Sequence, residues 1–119
     1  MDPDVQAFFE GEPGGTAVAA AVVAAVDALG PHDVRVARSQ VAFRRRRGFA
    51  YLWRPGQYVR SDVPAVLSIA LPTERPSPRW KQVAHPSPAV WMHHLELRRP
   101  GGVDSEVRAW LREAYDSAG

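Results

Sequence analysis

Cysteine is absent from this 119-residue chain. That absence excludes a disulfide framework, a thiolate nucleophile and any zinc or iron–sulfur centre held by sulfur. Long apolar runs are missing as well. The longest, Ala17–Val26, falls well short of the roughly 20 residues a bilayer-spanning helix needs. No secretory leader is visible, because Asp2, Asp4, Glu10 and Glu12 stand where a leader would be basic. The expectation is a full-length protein of the cytoplasm, whose reducing conditions suit a cysteine-free chain. Lysine is almost absent: of 15 basic residues only Lys81 is a lysine. That bias fits a GC-rich genome better than selection for guanidinium chemistry, and it lowers the weight of each arginine cluster. Neither a strand-to-helix glycine loop nor βαβ alternation occurs, which argues against Rossmann and P-loop nucleotide folds.

What is present is ordinary for a globular domain. With 45% hydrophobic and 24% charged residues, the chain can fill one core and is too short for two, so one domain over 1–119 is expected. The formal net charge of +2 is too small an excess to argue for nucleic acid by itself.

Along the chain, Asp2-Pro3 is a helix start, and Val5, Phe8 and Phe9 give a short apolar face before Gly11. Residues 1–11 therefore read as a short docking helix. Glu12-Pro13-Gly14-Gly15 reads as flexible, with Thr16 capping a helix over Ala17–Leu29 that Gly30-Pro31 closes. Apolar all round except for Asp27, that helix is expected to be central and buried on a sheet.

Asp33–Ala37 alternates enough for a first strand. The strongest strand signal follows, where Val41-Ala42-Phe43 and Phe49-Ala50-Tyr51-Leu52-Trp53 flank Arg44–Arg47 and Gly48 as the arms of a β-hairpin. A three-residue loop puts Val41, Phe43, Phe49 and Tyr51 on one face. A two-residue loop puts Val41, Phe43, Ala50 and Leu52 there instead, and the sequence leaves both registers open.

Ala65–Leu71 alternates Leu67, Ile69 and Leu71 against Val66, Ser68 and Ala70. After a loop over Pro72–Pro78, Trp80–Ala84 reads as a strand interrupted at His85-Pro86-Ser87-Pro88. Val90–Arg98 then points Trp91, His93, Leu95 and Leu97 inward and Met92, His94, Glu96 and Arg98 outward. Asp104–Ser117 sets Val107, Trp110, Leu111, Ala114 and Tyr115 on one helical stripe. The fold class is α+β, an antiparallel sheet of about five strands with two N-terminal helices and one C-terminal helix packed on it.

With these elements placed, the chain resembles the bacterial family catalogued as domain of unknown function 5655. The resemblance rests on Ser39-Gln40-Val41-Ala42-Phe43, Phe49-Ala50, Ser77-Pro78-Arg79, Trp91-Met92-His93-His94-Leu95-Glu96-Leu97, and the segment from Val103-Asp104 to Ala114-Tyr115. It implies a fold and no assigned chemistry. In layout alone the chain is similar to YjbR-type proteins, small α+β proteins for which DNA binding has been proposed.

Several constellations are candidates for function. Arg44, Arg45, Arg46 and Arg47 at an exposed hairpin tip could contact phosphates, with Arg54 beside Trp53 and Arg79 beside Trp80 as aromatic–arginine platforms for single-stranded bases. The plain alternative is a solvated turn that discourages edge-to-edge aggregation, with core tryptophans. His93 and His94 do not make a metal site, because neighbours on a strand face opposite ways. His93 reads as a partly buried histidine bonded to backbone or to Ser39, while His94 sits beside Glu96 in water.

Serine nucleophiles lack an elbow context, and no paired carboxylates are visible. No metal and no cofactor is expected. The favoured reading is a non-enzymatic binding module, using a cleft edged by Ser39, Arg44, Trp53, Trp80, Trp91 and His93 to take a protein or an anionic small molecule. Nucleic-acid binding through the arginine tip is the alternative, and an enzyme using His93 is third. A monomer or a homodimer joined at an edge strand fits equally.

Overall fold

A computed structural model describes residues 1–119. Six strands form one antiparallel sheet in the order β1-β2-β3-β4-β6-β5, so every strand-like run of the sequence pairs, where a sheet of about five was expected. They are β1 (Asp33–Val36), β2 (Val41–Arg44), β3 (Gly48–Trp53), β4 (Ala65–Leu71), β5 (Gln82–Ser87) and β6 (Val90–Leu97). β5 differs from the expected Trp80–Ala84 in its bounds, starting at Gln82 and running on through His85-Pro86 to Ser87 by way of a bulge after Ala84. Proline is tolerated there because β5 is an edge strand, where a missing N–H leaves no ladder bond unmade.

The hairpin takes the register that pairs Val41 with Leu52 and Phe43 with Ala50, and a bulge follows at Arg44, which pairs with Gly48. The inward set is therefore Val41, Phe43, Ala50 and Leu52. Phe49, left over by the bulge, is also fully buried and meets Tyr115 edge-on with ring centroids 5.4 Å apart. Tyr51 lies on the opposite face, paired with Ala42 and Ser68.

Three helices, α1 (Pro3–Phe8), α2 (Pro13–Asp27) and α3 (Ser105–Ser117), accompany the sheet. The Asp2 carboxylate caps α1 by accepting from Asp4 N–H at 2.7 Å. In α2 the helix begins earlier than expected. Pro13 occupies its first turn and Glu12 precedes it without a side-chain cap, so Gly14-Gly15 is helical rather than a flexible link. Gly15 has a packing reason: a Cβ there would stand 2.6 Å from the ring of Phe9, a fully buried core residue.

Nor is α2 buried all round. Val18, Ala19, Val22, Ala25 and Val26 are buried, while Ala17, Ala20 and Ala24 face solvent. A helix lying on one sheet face can bury only one side, and α3 takes the neighbouring ground with Val107, Leu111, Ala114 and Tyr115. The Asp104 carboxylate caps α3 through Val107 N–H at 3.1 Å and binds Arg79, and both interactions hold its pKa below the usual carboxylate value.

The core joins all three helices to the inner faces of β2, β3, β4 and β6. At roughly 25 cal/mol per Å² of apolar area, burying side chains such as Phe43, Leu52, Leu67 and Ile69 is the main driving term. No helix of the chain is long and apolar enough to cross a membrane.

Candidate functional site

Because the helices cover one face, the other face of the sheet is open. Strand pairing sets a straight row across it: Arg35, Ala42, Tyr51, Ser68, His94 and Gln82. Trp53, Val66 and Glu96 form the next row. The segment after β3 turns through a short 3-10 helix, Pro55–Gln57, and rises at the edge of this face. Tyr58 there donates its hydroxyl to the Ser39 carbonyl at 3.2 Å and tilts against Trp53 with centroids 6.3 Å apart.

The result is a concavity of about 460 Å³ lined by Tyr51, Trp53, Tyr58, Met92, Ser68 and His94, with Ser39 and Gln40 on its rim. A second hollow of about 390 Å³ shares Trp53 and His94 and adds Arg60, Ser61, Lys81, Gln82 and Glu96. One half of the combined groove is aromatic and the other is polar, with two cations, Arg60 and Lys81, against one carboxylate, Glu96. Tyr51 lies over Gly48, where any Cβ would collide with the phenol oxygen. Glycine at the bulge is thus what lets the ring lie flat along the strand.

The floor is a hydrogen-bonded chain. Trp53 Nε1–H donates to Ser68 Oγ at 3.0 Å, and Ser68 Oγ stands 2.6 Å from His94 Nδ1. An indole nitrogen only donates, so Ser68 accepts from Trp53 and its own hydroxyl proton is free to go to Nδ1. We assign the imidazole proton to Nε2, which gives every proton of the chain a place. Burial, and secondarily the nearby His93, pushes the His94 pKa below its ordinary value of 6.5, favouring this neutral form. Nε2 makes no hydrogen bond within the protein, leaving one imidazole donor available at the seam of the two hollows.

Of the residues singled out from the sequence, Ser39 and Trp53 come together here. Arg44 follows the inward Phe43 on β2 and forms no ion pair. Trp91 and His93 are elsewhere, because alternation along β6 sends odd positions to the helix side, and Trp80, in the loop before β5, packs against His93 there. His93 is fully buried: Nε2 accepts from Arg75 N–H at 3.0 Å and Nδ1 donates to the Trp91 carbonyl at 2.9 Å. Both nitrogens being occupied, it anchors the β4–β5 loop and has no free position for a substrate. Trp80 packs between His93 and Trp110, at 4.8 and 4.1 Å between centroids, and Trp91 stacks on His85 at 3.6 Å.

The arginine tip is not a set of four free guanidinium groups. Arg45 donates to the Tyr115 carbonyl at 2.9 Å with its guanidinium 4.0 Å over that ring, and Arg47 donates to the Ser117 carbonyl at 2.7 Å. The main-chain N–H groups of Arg46 and Arg47 both reach the Ala118 carbonyl. The tip holds the negative end of α3, where cations are favoured. Arg54 likewise donates to the Phe8 carbonyl and fastens the end of α1. Arg44 and Arg46 remain unbonded through their side chains.

Sequence reasoning missed Ser68, His94, Tyr51, Tyr58 and Met92. The alternation had placed Ser68 and His94 each on the non-core side of its own strand. Their pairing depends on the β4–β6 register, which no pattern within either strand reveals.

The family model for the domain of unknown function DUF5655 matches residues 6–118. The chain belongs to that family. The match covers the whole sheet, α2, α3 and the second half of α1, so the open face and its groove lie within the family domain. No curated protein and no solved structure matches the chain. Similarity to YjbR-type proteins is not shown by these comparisons.

Proposed function

We propose that this DUF5655 domain is a binding module whose open sheet face takes an anionic ligand carrying a planar ring. The observation that carries the reading is the Trp53–Ser68–His94 chain at the floor of a groove with an aromatic half and a cationic half. A ring can lie against Trp53 and Tyr58, a polar ring atom can accept from His94 Nε2–H, and the anion can sit between Arg60 and Lys81. A few placed polar groups in a mostly apolar hollow fix orientation, and the hydrogen-bonded floor means little needs reordering on binding.

Calorimetric titration with adenosine monophosphate, adenosine and benzoate tests this. Binding of at least one anion, weaker binding of uncharged adenosine, and loss of both in Trp53→Ala are the expected results. Absence of heat with every probe, or heat unchanged in Trp53→Ala, would refute it.

A further inference from the structure

The open face extends well beyond the groove, and its charge is one-sided. Arg35 and Arg44 sit at the β1–β2 end, Arg38 lies beside Ser39 and Tyr58, and Arg60 and Lys81 lie at the β5 end. None of these five forms an ion pair with a carboxylate, unlike Arg75, Arg79, Arg98 and Arg112, which all do. Of the acids, strand alternation puts Asp33, opposite Arg44, and Glu96 on this side of the sheet, while Asp62, in the same loop as Arg60, is taken up by Arg98. Between the two cationic ends stand Tyr51, Trp53 and Tyr58, the last 58% exposed.

The row from Arg35 to Gln82 crosses five strand-to-strand steps, about 24 Å at ~4.8 Å each. That length accommodates about seven nucleotides at a stacked spacing of ~3.4 Å, and fewer when they are splayed. Flanking cations for a phosphate chain and central rings for bases are the two components of a sequence-tolerant single-strand site. A duplex would offer this face no ring to stack, because its bases are already paired and stacked.

Resting on the reading above, we infer that the planar anion is a unit of a single-stranded nucleic acid, laid across the strands from Arg35 and Arg44, over Trp53 and Tyr58, to Lys81. The path uses the sheet face rather than the hairpin tip, whose Arg45 and Arg47 are held by α3.

The test is fluorescence anisotropy of labelled eight-residue oligouridylate and oligothymidylate, and of a duplex, at two salt concentrations, beside calorimetry with uridine monophosphate. Single strands should bind more tightly than the mononucleotide and the duplex. Tyr58→Ala, at an exposed position that leaves the core intact, should weaken binding about fivefold or more. Arg35→Ala combined with Arg44→Ala should flatten the slope of log affinity against log salt by about 1.4, while Arg46→Ala at the tip should leave it nearly unchanged. Equal binding of duplex, or equal losses in Arg46→Ala and Arg44→Ala, would overturn the inference. If uridine monophosphate binds and the oligomers gain nothing, the single-strand inference fails while the small-ligand reading stands. If neither the oligomers nor uridine monophosphate binds, the single-strand inference fails, and the small-ligand reading fails with it only if adenosine monophosphate, adenosine and benzoate are silent too.

Discussion

Replacing Ser68 by alanine removes the hydroxyl that joins Trp53 to His94 and nothing else of size. Ser68 is 3% exposed, whereas both partners are only half-buried. A buried donor or acceptor left without a partner costs about 1–3 kcal/mol, and groups that water can reach fall at the low end of that range. Two such groups, the Trp53 indole N–H and His94 Nδ1, therefore set the expected loss at about 1–2 kcal/mol. In urea denaturation the midpoint should fall with the slope unchanged, since the surface exposed on unfolding is the same. The indole Nε1–H resonance of Trp53 should move upfield as its hydrogen bond to Ser68 disappears. Ser39→Ala, on the exposed rim, should stay within about 0.5 kcal/mol of the parent. A Ser68→Ala protein as stable as the parent, with the Trp53 resonance in place, would refute the hydrogen-bonded floor.

Two further outcomes follow from the same contacts. The folded-state pKa of His94 is lowered, so as the pH falls the unfolded chain, with histidine near 6.5, takes up its proton first. The stability this group contributes is fully present above pH 6.5 and is lost as the pH drops through the folded-state pKa. Protonation at Nδ1 also ends its acceptance from Ser68. An imidazole nitrogen titration by NMR should show His94 titrating below 6.5, and His94→Gln should flatten the pH dependence of the urea midpoint in that window. Arg45→Ala should cost about 1–2 kcal/mol through loss of the α3 carbonyl bond and the stacking on Tyr115. It should leave ligand affinity on the open face unchanged, a combination that thermal melting and calorimetry check together.

The sequence spoke clearly about what lies within one element. Inward and outward sets on β4 and β6 and the stripe of α3 follow from periods of 2 and 3.6 that local sterics impose. It was silent where two elements decide together. Gly14-Gly15 read as flexible because the need for Gly15 lies in the ring of Phe9, just past the end of α1. The arginine run resembled a free tip because its carbonyl partners, at Tyr115 and Ser117, are 70 residues away. His93 and His94 differ most instructively. Adjacent in sequence, they occupy opposite faces, and the one that looked the better site residue is fully bonded inside the fold.

Backbone amide and indole chemical-shift mapping of the labelled protein with adenosine monophosphate tests the central claim most directly. The account predicts that the largest perturbations gather at Trp53, Tyr58, Ser68, His94 and Lys81, on the open face, and vanish in Trp53→Ala. Perturbations centred instead on Trp80 and Trp110 on the helix side of the sheet, or on Arg45–Arg47 at the hairpin tip, would contradict it.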